Sequence, residues 1–157
     1  MSQTPLRVAV SGCHRMLLSD FTSHNFAAAF HAVPETEIVS VFDYDKETRE
    51  EFATFWQEVW NVQTYNNYER MLEEIQPDLL CVATRQTMHA DQIEVAVKDG
   101  VRGLLCDKPL STSLSEMDRI VAACKNVPLV FGLDRRWTNA YLHIRETIAN
   151  GIVGPVT

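Results

Sequence analysis

Short apolar or β-branched runs alternate with longer amphipathic stretches along this chain. The runs lie at residues 6–11, 37–43, 78–84, 102–106 and 129–133, and a weaker one lies at 62–65. Alternation of this kind predicts βαβ units around a parallel sheet. With right-handed crossovers, six such strands wind into a Rossmann-type, doubly wound α/β sheet of order 3-2-1-4-5-6, forming a single domain.

Between the runs the spacing turns helical. From 45 to 60, Phe52, Phe55, Trp56, Val59 and Trp60 fall on one helix face opposite a charged one, the pattern of a helix laid on a sheet. Ser113 and Glu116 form an S-x-x-E capping box ahead of Met117, Ile120, Val121 and Cys124. Helices are also expected over 87–99, stopped by Gly100, and over 138–150, where Tyr141, Ile144 and Ile148 share a face and Gly151 ends the run.

Composition narrows the class. The 157 residues are one domain's worth, 46% hydrophobic and 22% charged, which is ordinary for a water-soluble domain. No apolar stretch approaches the roughly 18 residues of a membrane span, and residues 1–7 lack the regions of a secretory signal, so a cytoplasmic location is expected. A net charge of −7 with no Lys/Arg block argues against nucleic acid or an anionic membrane and favours a small-molecule partner. Cys13, Cys81, Cys106 and Cys124 have no C-x-x-C spacing and read as reduced, mostly structural thiols. Cys13-His14 lacks a second ligand pair, so no metal site is expected.

In a doubly wound sheet, ligands bind beyond the carboxyl ends of the strands, and four such ends carry chemistry here. The first strand runs into Gly12-Cys13-His14-Arg15-Met16-Leu17, where a G-x-G-x-x-G loop would bring backbone against a pyrophosphate. Only the first glycine is present. Asp43 ends the second strand, where a carboxylate accepts hydrogen bonds from ribose hydroxyls; its other reading is local capping near Asp45. Its distance from Gly12 implies a first crossover, containing residues 18–24, lengthened beyond the usual. After the fourth strand, Thr84 to His89 forms a polar loop into a helix, with His89 either facing the ligand or packing its own helix. After the fifth, Asp107-Lys108-Pro109 presents a lysine at a strand end, an ordinary surface residue or one aimed at a ligand.

Together these residues resemble the N-terminal domain of the glucose-fructose oxidoreductase, inositol dehydrogenase and MocA family. Asp107-Lys108-Pro109 resembles its E-K-P signature, with Asp for Glu. Thr84 to His89 resembles its T-P-N-x-x-H loop, with Arg85 for Pro and Gln86 for Asn. Arg135-Arg136-Trp137 resembles an R-R-F segment, and is otherwise a pair of solvated charges; Gly151 to Val156 resembles the G-x-I-G-x-V turn that opens a second domain.

The resemblance implies that residues 1–150 bind dinucleotide and that 151–157 begin a C-terminal substrate domain. It implies an NAD(P)-dependent oxidoreductase acting on a sugar, polyol or related hydroxy compound, homo-oligomeric when complete and inactive as this half alone. Lys108 is the expected catalytic residue. Gly12, Cys13, His14, Arg15, Met16, Asp43, Thr84, His89, Asp107, Lys108 and Arg136 are the expected cofactor contacts. NAD is expected over NADP, because Asp43 repels a 2′-phosphate and Lys46 alone is a weak counter-charge. His14 and Leu17 in place of glycines leave a second reading open, a non-catalytic sensor with a degenerate cofactor site.

Overall fold

The central apolar runs are hydrophobic on both faces, as strands covered by helices on each side must be. The computed structural model describes residues 4–17 and 25–155. Its strands are β1 (Leu6–Ser11), β2 (Thr36–Phe42), β3 (Gln63–Tyr65), β4 (Leu79–Val82), β5 (Gly103–Cys106) and β6 (Leu129–Phe131). All pair in parallel in the order β3-β2-β1-β4-β5-β6, as the alternation predicts. The order reverses between β1 and β4, which opens a crevice at their carboxyl ends.

Several strands stop short of the apolar runs. Asp43, Ala83 and Gly132 follow the last ladder residues, although the Ala83 and Gly132 amides still donate to Ser11 (2.7 Å) and Cys106 (2.8 Å) carbonyls. These departures carry the chain into the crevice rim.

The helices are α1 (Phe26–His31), α2 (Lys46–Trp56), α3 (Tyr68–Ile75), α4 (His89–Lys98), α5 (Leu114–Ala123) and α6 (Asn139–Ala149). Side chains of Asn25, Asp45, Asn67 and Ser113 each accept a hydrogen bond from the amide three residues on, satisfying N-terminal donors of α1, α2, α3 and α5. At α5 the Glu116 carboxylate reaches back to the Thr112 amide (2.9 Å), one residue before the cap. One sheet face buries Phe42, Met71, Leu72, Leu80, Ile93 and Ile120; the other buries Met16, Ile38, Phe52 and Trp56. Each such side chain contributes about 1.5–3 kcal/mol by leaving water.

Three expectations are corrected. In α2 only Phe52 and Trp56 of the aromatic stripe are buried, while Phe55 and Val59 are half-exposed. The helix ends at Trp56, so Val59 lies beyond it, and the inner stripe follows the i, i+4 row of Phe52 and Trp56. The helix expected from Thr87 starts at His89, after a 3-10 turn over Gln86–Met88. In α5, Ile120 is buried but Val121 is exposed. The apolar face of α6 is formed as expected, yet no residue of α6 is buried. Residues 18–24, the expected loop extension, lie outside the described residues. Among the described residues no helix is long and apolar enough to cross a membrane.

Candidate functional site

A cleft of about 610 Å³ opens at the carboxyl end of the sheet. It is lined from three strand ends: Gly12, His14 and Arg15 after β1, Asp43 to Asp45 after β2, and Ala83 to Gln86 after β4. Asp107 and Lys108 after β5 complete it.

Gly12 sets the floor. Its φ of +87° is one that side-chain-bearing residues rarely adopt, and a Cβ there would lie 2.7 Å from Ala83 C, Ala83 O and Thr84 N. The β1 loop therefore rests directly on the backbone leaving β4. The Gly12 amide donates to the Phe42 carbonyl (2.7 Å) and the Met16 amide to the Cys13 carbonyl (2.9 Å), closing the 3-10 turn His14–Met16. His14 and Arg15 project outward; Cys13 and Met16 are fully buried, so any contact they make with a ligand passes through backbone.

Asp43 is held from two sides. Its Oδ2 accepts from the Cys13 amide (3.1 Å) and its Oδ1 from the Asp45 amide (3.2 Å), which orients the carboxylate at the rim and leaves acceptor capacity on both oxygens. The buried Arg49 of α2 donates to the Asp43 and Tyr44 carbonyls and so fixes the backbone that carries Asp43. Burial, and then the nearby Asp43 charge, push the Cys13 thiol far above its ordinary range, which keeps it protonated and inert.

The β4 loop is braced from beneath. His89, at the start of α4 and 1% exposed, places Nε2 3.1 Å from the Thr84 carbonyl and Nδ1 3.2 Å from the Leu110 carbonyl and 3.3 Å from Cys106 Sγ. It ties the β4 loop to the segment after Asp107-Lys108-Pro109, and its ring is not among the groups lining the cleft. Burial, and then Asp107, push the Cys106 thiol up to about 12, so it stays a neutral partner. Gln92 Oε1 accepts from Ser11 Oγ (3.1 Å) and Thr84 Oγ1 (2.9 Å), joining β1, β4 and α4. Its Nε2 is buried with no hydrogen-bond partner among the described residues. Gln92 lines a second hollow of about 390 Å³ with Tyr44, Asn67, Tyr68 and Met88, and the two hollows share Phe42, Tyr44 and Met88.

Asp107 is buried at the end of β5, where its Oδ1 accepts from the Lys108 amide (2.7 Å). Its Oδ2 faces Arg15 Nη1 at 3.6 Å across the cleft. Lys108 is exposed at the cleft wall. Arg136 sits on the exposed 3-10 turn Asp134–Trp137, apart from the residues that line the cleft. The structure thus brings Gly12, His14, Arg15, Asp43, Thr84, Asp107 and Lys108 to one cleft, with His89 behind it and Arg136 away from it. Sequence reasoning missed Arg49 and Gln92, because a polar residue on a helix reads as solvated when its partners are on other elements.

Comparison with known proteins agrees with this geometry. A family model described as GFO_IDH_MocA, an oxidoreductase family with an NAD-binding Rossmann fold, matches residues 6–134. The chain is 30% identical over 136 residues to D-apiose dehydrogenase of Paraburkholderia graminis, covering 85% of this chain and 35% of that protein. It is 27% identical over 139 residues to trans-1,2-dihydrobenzene-1,2-diol dehydrogenase of Danio rerio, covering 85% of this chain and 40% of that protein. In fold it resembles myo-inositol dehydrogenase of Lactobacillus casei, solved with NAD(H) and myo-inositol, with a TM-score of 0.80, 21% identity, and coverage of 96% of this chain and 43% of that one. The chain therefore spans about two fifths of the length of these relatives.

Proposed function

The chain belongs to the GFO/IDH/MocA oxidoreductase family, and on that premise we propose that it holds the nicotinamide dinucleotide of a dehydrogenase acting on a sugar, polyol or related hydroxy compound. The observation that carries this reading is the convergence of Gly12, Asp43, Thr84 and Lys108 on one cleft at the switch point of the sheet. The residues present fit such a ligand. Asp43 has acceptor capacity to spare at the rim, and the unpartnered Gln92 Nε2 offers a buried donor to the adjoining hollow, which suits the adenosine end.

When bound, the nicotinamide supplies the hydride acceptor or donor. This chain's own residues bind and position. Asp43 accepts from the adenosine ribose hydroxyls and repels a 2′-phosphate, so NAD is preferred over NADP. His89 and Gln92 keep the β4 loop at the height at which Thr84 meets the ligand. Lys108 moves the proton of the substrate hydroxyl at its Nζ, with its backbone fixed by the Asp107 carboxylate. The substrate pocket and the oligomer contacts belong to a further domain of the complete protein, which begins near residue 151. The buried thiols Cys13, Cys81 and Cys106, all unpaired, suit a reducing compartment such as the cytoplasm.

Titration of NAD and NADP into the chain tests the cofactor assignment, with tighter binding of NADP refuting the role of Asp43. In a protein extended to the length of its relatives, Lys108→Ala should lower kcat far more than it weakens NAD binding. An unchanged kcat would remove Lys108 from that role, whereas no turnover at all in the extended protein would favour the non-catalytic sensor suggested by His14 and Leu17.

A further inference from the structure

In a glycine-rich loop, recognition of a pyrophosphate rests on free backbone amides brought close to the phosphates. Here that supply is reduced. The amides of Gly12, Cys13 and Met16 are spent on the Phe42 carbonyl, the Asp43 carboxylate and the Cys13 carbonyl. The close backing of Gly12 against Ala83 and Thr84 holds the loop against the β4 end, and His14 adds a side chain where backbone would otherwise approach. The charged groups that line the cleft balance, Asp43, Asp45 and Asp107 against Arg15, Arg85 and Lys108, so attraction of an anion depends on which cation faces it.

Of the three cations, Arg15 is the one carried by the β1 loop itself. Arg15 lines the cleft with its side chain 61% exposed, paired with the 8% exposed side chain of Asp107 on the opposite wall at 3.6 Å. That separation is an ion pair and not a hydrogen bond, and no described residue accepts a hydrogen bond from the five N–H donors of Arg15. Asp107 Oδ1 is already engaged by the Lys108 amide, so the carboxylate is a fixed anchor and the guanidinium is the movable partner.

We propose that Arg15 recognises the pyrophosphate of the dinucleotide through its guanidinium, replacing the missing backbone donors, and that Asp107 is the positioning residue that draws Arg15 across the cleft. The inference rests on the dinucleotide reading of the cleft and names the group that reads the ligand's phosphates. A guanidinium suits the task because its planar fork meets two phosphate oxygens at once while its remaining edge stays toward Asp107. It also neutralises Asp107, which would otherwise repel the incoming anion.

The test uses the 157-residue chain with two probes, ADP-ribose and adenosine, followed by NMR titration. Arg15→Gln should weaken ADP-ribose binding roughly tenfold to hundredfold, as expected for losing charge-assisted hydrogen bonds, and leave adenosine binding unchanged. The decline of ADP-ribose affinity with added salt should be shallower in Arg15→Gln than in the wild type, a signature that loosening of the loop alone would not produce. Arg15→Lys should recover part of the loss. Adding Asp107→Asn to Arg15→Gln should also recover part, because it removes the carboxylate left unneutralised. Equal ADP-ribose affinity in wild type and Arg15→Gln, with adenosine still bound, would overturn the role of Arg15 while leaving the dinucleotide reading intact. Failure of the wild type to bind either probe would overturn both.

Discussion

Replacing Gly12 by alanine should be among the most damaging single-methyl additions to this chain. Two costs act together. The backbone φ of +87° is disfavoured for any residue with a Cβ, at about 1–2 kcal/mol. The added carbon would also meet Ala83 C, Ala83 O and Thr84 N at 2.7 Å, and these are backbone atoms of the strand end that cannot swing aside. Forcing them apart costs a further ~1–3 kcal/mol. The sum, about 2–5 kcal/mol, is a large part of the ~5–15 kcal/mol that holds a typical domain folded. Gly100 supplies the control, because its φ is +89° but a Cβ there would meet nothing within 4 Å. Gly100→Ala should therefore cost only the conformational part, about 1–2 kcal/mol. Urea unfolding of the two variants beside the wild type measures the difference. Equal midpoints for Gly12→Ala and Gly100→Ala would refute the argument that the β1 loop is seated on the β4 backbone.

Three further outcomes are expected. His89→Ala should destabilise the chain by about 2–4 kcal/mol, because it opens a cavity and removes the ring N–H that donates to the Thr84 or the Leu110 carbonyl; thermal or urea unfolding checks this. The Asp78 carboxyl is held below its ordinary 3.8 by the Arg7 amide first and Arg102 second, so its contribution is present above that value and is lost as pH falls through the lowered one. The stability gap between wild type and Asp78→Asn should accordingly close below about pH 4, measured as urea midpoints across pH. In the native chain at pH 8, the half-buried Cys124 should alkylate before Cys13, Cys81 and Cys106, all three fully buried with thiol pKa values raised chiefly by burial. Mass spectrometry of time-resolved labelling with iodoacetamide reads the order, and early labelling of Cys106 would contradict it.

The strand order and the position of the cleft were readable because the central strands are apolar on both faces and the topology then places their carboxyl ends together. Asp43 and Lys108 follow such ends directly, so their placement at the cleft came from strand boundaries alone. Periodicity was a poorer guide to which side of a helix meets the sheet. Phe55 and Val59 matched the stripe in spacing but lie outside the buried row, and the Tyr141, Ile144 and Ile148 face of α6 formed but stays exposed among the described residues. Gln92 and Arg49 were invisible for another reason. Gln92 bonds Ser11 across 81 residues, and Arg49, although near its acceptors in sequence, bonds the backbone carbonyls of Asp43 and Tyr44, which leave no side-chain pattern to read.

The central claim is that the cleft formed by Gly12, Asp43, Thr84 and Lys108 receives a dinucleotide. It is tested most directly by adding NAD to the isotopically labelled chain and following its backbone amides by NMR. The account expects saturable shifts confined to residues around Gly12–Arg15, Asp43–Asp45, Ala83–Gln86 and Asp107–Lys108, with weaker binding of NADP and with Asp43→Ala reducing the affinity for NAD. Shifts centred on another surface, or none at millimolar NAD, would contradict it.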